Sequence, residues 1–233
     1  MKFSKTLIAT LLLGGISFAQ NAQAETVGLI GMFYTEKPEE HQTAMVKLEQ
    51  QVKHQGCTLR REGSILGTDG NYKIKTVNRF FFIECEEGLL SKQSSKTWIN
   101  KLNIATKNLS LFEGSMKFRD SSSIALPGER RSYIIKLSDY NNINPSKRDT
   151  DLARLGQMVQ TRQHKYTSEA YVNISDTYGM ERPDEVVLIH YPSKEDGDKF
   201  RNNSNNADIM TGIGAFNRDH LTQFSYFVAV SNR

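Results

Sequence analysis

The sequence has little of what marks several common classes of protein. Of its 233 residues only two are cysteine, one is tryptophan and five are proline. Its charges nearly balance, with 30 basic against 26 acidic side chains and a formal net charge of +4. A charge this small, without a concentrated basic stripe, argues against a nucleic-acid-binding surface.

Motifs that would assign a chemistry are also missing. The sequence contains no GxSxG elbow, no P-loop and no dinucleotide-binding fingerprint. Its His, Cys, Asp and Glu residues have no metal-ligand spacing, so we expect neither a metal site nor a cofactor. Beyond the N-terminus, no segment is long and apolar enough to predict a membrane span.

The first 24 residues have the pattern of a secretory signal peptide. Lys2 and Lys5 precede an apolar run at residues 6–18, and small residues follow at Ala22 and Ala24. The pattern predicts cleavage after Ala24 and a periplasmic or secreted protein, with an uncleaved membrane anchor as the alternative. Because the signal contains two lysines and no acids, the mature chain would have 28 basic and 26 acidic residues, a charge of +2.

The two cysteines are Cys57 and Cys85. An even number in an exported chain favours a disulfide, which would close a loop of 27 residues. In the chain-entropy model such a loop contributes about 3–4 kcal/mol to stability. The alternative is a pair of free or metal-binding thiols, but neither a CxxC motif nor a zinc spacing is present.

Hydrophobic periodicity predicts two series of elements in the same order, β-α-β-β-α-β. The first series has strands at residues 27–34, 57–66, 76–85 and 111–118, with helices beginning at Pro38 and within residues 89–109. Residues 121–130 are Ser-rich and typical of a linker. The second series has strands at residues 132–137, 166–174, 185–191 and 221–230, with helices at 149–163 and from residue 192.

This order is typical of the ferredoxin-like unit, whose two helices cover one face of a sheet and leave the other face bare. A second copy in the same chain is an economical cover. The sequence therefore predicts an α+β protein with two tandem ferredoxin-like units packed sheet to sheet as an α/β barrel. The expected boundaries are a signal peptide at 1–24, a first unit at 25–120, a linker at 121–131 and a second unit at 132–233.

The cysteines test the predicted pairing of the second and third strands. Cys57 begins one strand and Cys85 ends the other, so both lie at the same end of the hairpin. A tight turn centred on Asp69 and Gly70 would place Cys57 opposite Phe82, three residues short. A longer loop or a β-bulge is therefore expected between them.

A family resemblance rests on the second series. Residues 185–193 (EVVLIHYPS), followed by a helix with Phe200 and a late strand, resemble the small dimeric α/β-barrel proteins, which include antibiotic-biosynthesis monooxygenase-like proteins. The resemblance covers residues 131–230 and, more faintly, 27–118. It implies two sheets packed face to face around a cavity. Members include cofactor-independent oxygenases, isomerases, decarboxylases, haem enzymes and proteins without known chemistry, so the fold alone does not assign an activity.

Two polar side chains occupy equivalent positions of the strongest strands. Alternation puts Glu84 on one face with Phe80 and Phe82, and His190 on one face with Leu188. If those faces line the cavity, the carboxylate and the imidazole could relay a proton. The alternative is that both reach solvent at the ends of their strands.

Further residues are candidates for binding a ligand in the cavity between the sheets. They are Phe80, Phe82, Leu188, Tyr133 and Tyr171, with Lys136 and Tyr226 as additional polar groups; the alternative for each tyrosine is a rim position with its hydroxyl in water. His41 and His54 are thirteen residues apart on one helix and form no ligand pair, and we expect loops around His164 and His220.

Three functional hypotheses follow. The first is that the protein binds a small apolar molecule or a partner in an inter-sheet cavity without turnover. The second is a cofactor-independent enzyme, of the monooxygenase or isomerase kind, that uses Glu84 and His190. The third is a haem protein with His190 as axial ligand, which requires a large pocket beside that histidine.

Overall fold

The computed structural model of the protein describes residues 26–90, 96–97, 99–100, 102, 106–118, 129–162 and 167–232. The predicted signal peptide, its cleavage site and most of the predicted linker lie outside these residues, as do Trp98 and His164. No helix in the described ranges has the length and apolar character needed to cross a bilayer.

The elements largely follow the predicted order. They are β1 (Thr26–Tyr34), α1 (Pro38–Lys53), β2 (Cys57–Gly70), β3 (Arg79–Cys85), β4 (Lys107–Phe118), β5 (Ser132–Tyr140), α2 (Pro145–Thr161), β6 (Thr167–Tyr178), β7 (Glu185–Tyr191), α3 (Lys194–Asn202), α4 (Ala207–His220) and β8 (Leu221–Ser231). Residues 96, 97, 99, 100 and 102 are also helical, at the position predicted for the second helix.

The eight strands form one closed antiparallel barrel in the order β1-β3-β2-β8-β5-β7-β6-β4. Strands β1 to β4 occupy one half of the ring and β5 to β8 occupy the other, in the same relative order. The halves join where β2 pairs with β8 and where β4 pairs with β6. The edges of the two expected sheets are therefore hydrogen-bonded to one another, and the barrel is continuous.

The interior of the barrel is lined by one cluster of buried apolar side chains. Alternate residues of every strand contribute to it, among them Ile30, Phe82, Phe112, Ile135 and Phe227. Because side chains alternate between the two faces of a strand, the intervening residues point outwards, towards the helices. The barrel thus has a packed core inside and separate helix-covered cores outside.

Helix α1 covers the outer face of the first half of the barrel. Proline occupies its first turn, where the missing N–H is tolerated, and Met45, Leu48 and Val52 recur at helical spacing on its buried face. These side chains pack with the outward-facing Phe81 of β3. After α1 the chain reverses through Gly56, whose φ of +75° suits a residue without a side chain.

The disulfide between Cys57 and Cys85 is confirmed, and so is the expected irregularity in the hairpin that contains it. The two cysteines are directly opposite one another in the β2–β3 register. Strand β2 continues through Gly70, so no tight turn forms at Asp69 and Gly70, and a register shift lies between Leu59 and Arg61. A longer connection and a bulge together absorb the three-residue slip.

Helix α4 was not predicted, and this is the main error in the sequence assignment. Residues 202–205 before it are exposed, whereas Asn206 is buried and its amide donates to the Phe200 carbonyl. The sequence patterns had assigned no element to residues 207–220. In the structure, Gly212 allows close packing of α4 on α2, because a Cβ there would lie 2.7 Å from Leu155 Cδ2.

Candidate functional site

A cavity of about 470 Å³ lies between the outer face of the barrel and the helices of the second half. Its floor is formed by strands β5, β7 and β8, and helices α2, α3 and α4 cover it. The lining is Asp69, Ile134, Lys136, Tyr140, Leu152, Leu155, Gly156, Val159, Tyr171, Glu185, Val187, Ile189, Tyr191, Phe200, Arg201, Met210, Ile213, Phe216, Asn217, Tyr226 and Val228. We call this space the sheet–helix cavity. Its volume is in the range of small-molecule sites.

Strand alternation places the floor residues. On β5, Ile134 and Lys136 face outwards because Tyr133, Ile135 and Leu137 face the barrel interior. Lys136 lies opposite Val187 of β7 and Tyr226 of β8. One row across the sheet thus contributes a cation, an apolar group and a phenol to the same wall of the cavity.

Lys136 is a half-buried cation in this lining. Its ammonium nitrogen lies 5.5 Å from the ring centroid of Phe216 and 5.8 Å from that of Tyr226. Within the described residues, no carboxylate lies within 4 Å of this nitrogen, although Asp69 and Glu185 also line the cavity. The lysine therefore interacts with two aromatic rings in place of an acidic partner.

Two phenols of the cavity, Tyr140 and Tyr191, have polar partners within its lining. Burial raises the pKa of Tyr140 well above its usual value, and the charge of Glu185 and a hydrogen bond to it raise it further. Burial also raises the pKa of Tyr191 to about 12, which Arg201 partly opposes. Both phenols are therefore neutral at physiological pH and hydrogen-bonded to charged side chains of the lining.

A second group of polar side chains lies inside one end of the barrel. The Tyr133 hydroxyl donates to Glu169 Oε2 at 2.6 Å and accepts from Arg61 Nε at 2.9 Å. Arg131 Nη1 lies 3.1 Å from Glu169 Oε2. These four buried residues, Arg61, Arg131, Tyr133 and Glu169, form the barrel-end cluster. Glu169 lies in a β-bulge of β6, and this irregularity directs its carboxylate towards the cluster.

His190 faces the same end of the barrel interior. Its ring lies 6.4 Å from that of Tyr133, and both ring nitrogens are buried without a hydrogen-bond partner among the described residues. Burial lowers the pKa of His190 to about 4, and the positive charges of Arg131 and Arg61 contribute in the same direction. The imidazole is therefore neutral near pH 7 and has one nitrogen able to accept a proton.

Glu84 lies at the same end of the barrel as His190, because the four antiparallel pairings between β3 and β7 make these strands run in the same direction. Its carboxylate is bound by Arg60, through both Nε and Nη2. The charged groups that shift the pKa of His190 are Arg131, Glu129 and Arg61, and Glu84 is not among them. The structure thus places both predicted catalytic residues in the barrel, each with its own surroundings.

The five residues predicted to bind a ligand are divided between two places. Phe80, Phe82, Leu188 and Tyr133 are fully buried in the barrel interior. Tyr171 lines the sheet–helix cavity, and its hydroxyl donates to Ser168 Oγ at 2.8 Å. The alternative of a solvent-exposed rim position therefore does not apply to Tyr133.

Sequence reasoning missed the residues that α4 contributes to the cavity. Met210, Ile213, Phe216 and Asn217 recur at spacings of three and four, a helical pattern that was available in the sequence. His220, predicted to lie in a loop, ends this helix, and its Nε2 lies 2.9 Å from Asp151 Oδ2.

The described residues contain no group of three or more His, Cys, Asp or Glu side chains that could hold a metal ion. The haem hypothesis needed a large pocket beside His190. That histidine faces the barrel interior, on the side of β7 opposite the sheet–helix cavity, and no histidine lines the cavity within the described ranges. His190 and the cavity therefore do not combine into a haem site.

Comparison with solved structures shows that the fold occurs in enzymes. The chain is similar to an anthrone oxidase-like protein, with a TM-score of 0.54 and 14% identity over 89% of this chain and 94% of that one. It is also similar to a mutant chlorite dismutase from Candidatus Nitrospira defluvii, with a TM-score of 0.57 and 10% identity over 89% and 91%. A provisionally assigned monooxygenase from Lactobacillus acidophilus NCFM gives a TM-score of 0.51 and 8% identity over 90% and 95%.

No family model matches this sequence, and no curated protein does so. At such low identities the likeness extends to the fold alone. The likeness in fold agrees with the α/β barrel expected from residues 185–193.

Proposed function

We propose that this protein binds a small, largely apolar molecule in the sheet–helix cavity. The observation that carries the proposal is the cavity itself: about 470 Å³ bounded by the sheet and three helices, with a mainly apolar lining and a few polar groups. This combination is typical of small-molecule sites. It agrees with the first sequence-based hypothesis in the kind of ligand, but the ligand lies outside the barrel and not between two sheets.

The packing of the barrel supports this location. Its interior is occupied by large buried side chains from all eight strands, including Phe80, Phe82 and Phe227. A ligand placed there would have to displace well-packed groups, and disturbing a core in this way typically costs 1–3 kcal/mol or more. The sheet–helix cavity offers apolar surface that no side chain of the described residues fills.

The proposal assigns the ligand to one of two structural units. We propose that residues 25–120 and 132–233 are each a ferredoxin-like unit, and that the second unit alone holds the ligand. In support, almost every residue of the lining belongs to β5–β8 and to α2, α3 and α4; Asp69 of β2 is the exception among the described residues. The first unit then closes the barrel on which this site rests.

Fluorescence titration with N-phenyl-1-naphthylamine, a neutral apolar probe, tests the proposal. We expect saturable binding, and a loss of at least tenfold in affinity when Val187→Phe fills the floor of the cavity. Leu66→Phe is the matched control, because Leu66 is 54% exposed on β2. Ile213→Trp blocks the cavity from α4 and provides a second variant if Val187→Phe does not fold. The proposal would be refuted if the unmodified protein showed no saturable binding. It would also be refuted if both blocking variants bound the probe as tightly as the unmodified protein does.

We also propose that the protein is exported. The charged and apolar segments of residues 1–24 support this, and a disulfide is the state expected outside the cytoplasm. The test is N-terminal sequencing of protein recovered from the periplasm or medium of a bacterial host. We expect Glu25 as the first residue, whereas a mature chain beginning at Met1 would contradict cleavage.

A second candidate function is cofactor-independent oxidation with His190 as a base. The observation that favours it is a neutral, buried imidazole with no hydrogen-bond partner among the described residues. The names of the structural neighbours, oxidase-like and monooxygenase, add support at the level of the fold. The pairing of Glu84 with Arg60 weakens the original form of this hypothesis, in which Glu84 and His190 act together.

Anthrone is a suitable substrate to test this candidate. Its oxidation by O₂ to anthraquinone and water begins with loss of a proton from the bridging CH₂, which a neutral imidazole could accept. If the candidate is correct, His190→Gln abolishes the change in absorbance that accompanies turnover, and the exposed His54→Gln does not. No turnover by the unmodified protein would leave the binding function alone.

A further inference from the structure

We infer that the ligand of the sheet–helix cavity is an anion, an aromatic or aliphatic acid whose carboxylate lies at Lys136. The inference rests on the proposed function and specifies the class of molecule bound. It begins from a charge that the cavity contains and that the described residues do not neutralise.

The position of Lys136 is the first step of the argument. A lysine on the outer face of a sheet can usually extend its ammonium into water, but helices cover this face. The ammonium nitrogen instead lies between the rings of Phe216 on α4 and Tyr226 on β8, at 5.5 and 5.8 Å from their centroids. The aromatic faces hold the cation inside the cavity lining and leave its N–H groups available to a ligand.

The second step is that two other charges of the lining already have partners. Glu185 interacts with Tyr140, and Arg201 interacts with Tyr191. Neither acid of the lining, Glu185 or Asp69, reaches Lys136 within ion-pair distance. Since a cation in a mainly apolar space gains most from an opposite charge, an anionic ligand would gain more there than a neutral ligand of the same shape.

The third step is the placing of the apolar part of the ligand. Two residues along the strands from Lys136, about 7 Å away, the floor consists of Ile134, Ile189 and Val228. In the opposite direction the floor leads to Glu185, which would repel a second carboxylate. The geometry therefore favours a monoacid with its apolar body over the isoleucines, and disfavours a diacid.

The experiment compares 2-naphthoate with 2-naphthamide, a neutral molecule of nearly the same shape, by isothermal titration calorimetry. We expect the unmodified protein to bind naphthoate at least tenfold more tightly than the amide. Lys136→Met should remove this preference by weakening naphthoate binding at least tenfold, with little effect on the amide. Lys136→Arg should retain a preference for the acid. Lys117→Met, at an exposed position on β4, is the control for the change in net charge.

The outcomes separate this inference from the function on which it rests. The inference of an anionic ligand is refuted if the amide binds and the unmodified protein shows no preference for the acid. It is also refuted if Lys136→Met weakens the binding of both molecules equally. In either case the cavity remains a binding site. If neither naphthoate nor the amide binds, both the inference and the proposed function are overturned.

Discussion

The hydroxyl of Tyr133 donates a hydrogen bond of 2.6 Å to the carboxylate of Glu169, inside the barrel and between residues 36 positions apart in sequence. Glu169 also lies 3.1 Å from Arg131 and 3.4 Å from Arg61. Buried charges are tolerated when they are paired and hydrogen-bonded. The tyrosine thus completes a polar network within an otherwise apolar barrel.

Removing that hydroxyl should destabilise the protein. In Tyr133→Phe, Arg61 Nε loses the hydroxyl acceptor and Glu169 loses a donor, and both stay buried. We expect the free energy of unfolding to fall by about 1–3 kcal/mol, measured by urea denaturation. Tyr178→Phe is the control, since Tyr178 is 36% exposed. Equal stability of the two variants would show that the network does not depend on the hydroxyl.

Two glutamates of the barrel, Glu169 and Glu84, should differ in their importance for stability. Glu169→Gln leaves two buried arginines without their shared carboxylate and should cost about 3 kcal/mol or more. Glu84→Gln alters a pair whose Arg60 side chain is 32% exposed, so we expect a loss below about 1 kcal/mol. Thermal or urea unfolding of both variants measures the contrast, and a larger loss in Glu84→Gln would contradict it.

His190 should make stability depend on pH in mildly acidic solution. Its pKa is about 4 in the folded protein and near 6.5 when unfolded, so between these values the unfolded chain binds more protons. The free energy of unfolding should therefore decrease as the pH falls from 6.5 to 4, by about 1–2 kcal/mol after allowance for partial exposure, and should be unaffected above 6.5.

Urea denaturation of His190→Gln at pH 7, 5.5 and 4 measures this contribution. Relative to the unmodified protein, the variant should become progressively more stable as the pH falls, because glutamine does not titrate. His54→Gln, at an exposed position, should follow the unmodified protein. A stability difference that stays constant across the three pH values would exclude a buried neutral histidine.

Loss of the disulfide should lower stability without changing the fold. Cys57 and Cys85 are separated by 28 residues, and releasing that loop in the unfolded chain should cost about 3–4 kcal/mol. Urea denaturation of Cys57→Ser/Cys85→Ser, compared with the unmodified protein in dithiothreitol, measures the effect. Matching midpoints in the two samples are expected; a midpoint unchanged by reduction would show that the bond contributes little.

Local sequence patterns predicted many of the helices and strands of this protein. Helical spacing of Met45, Leu48 and Val52 fixed α1, and the β-rich run at residues 185–191 fixed β7 to the residue. Both follow from the need to bury one face of each element, which leaves its period in the sequence. The helix α4 was missed although its apolar residues recur at helical spacing, and Gly212 within it serves close packing against α2.

Export remains a prediction from the sequence alone, since residues 1–24 lie outside the described ranges. The roles of Glu84 and His190 also remain predictions. Alternation correctly grouped each of them with its inward-facing neighbours, but it could not state which groups would surround them. Those groups, Arg60 of β2 for one and Arg131, just before β5, for the other, come from other parts of the chain.

Only the tertiary structure decided where a ligand could bind. Alternation separates the two faces of β5 and β7, but it does not say which face is packed solid and which is left with space. Barrel closure filled the inner face with Phe80, Phe82 and Leu188, and the fit of α2, α3 and α4 left a cavity over the outer face. Such spaces depend on how separate surfaces fit together, and no local sequence pattern records that fit.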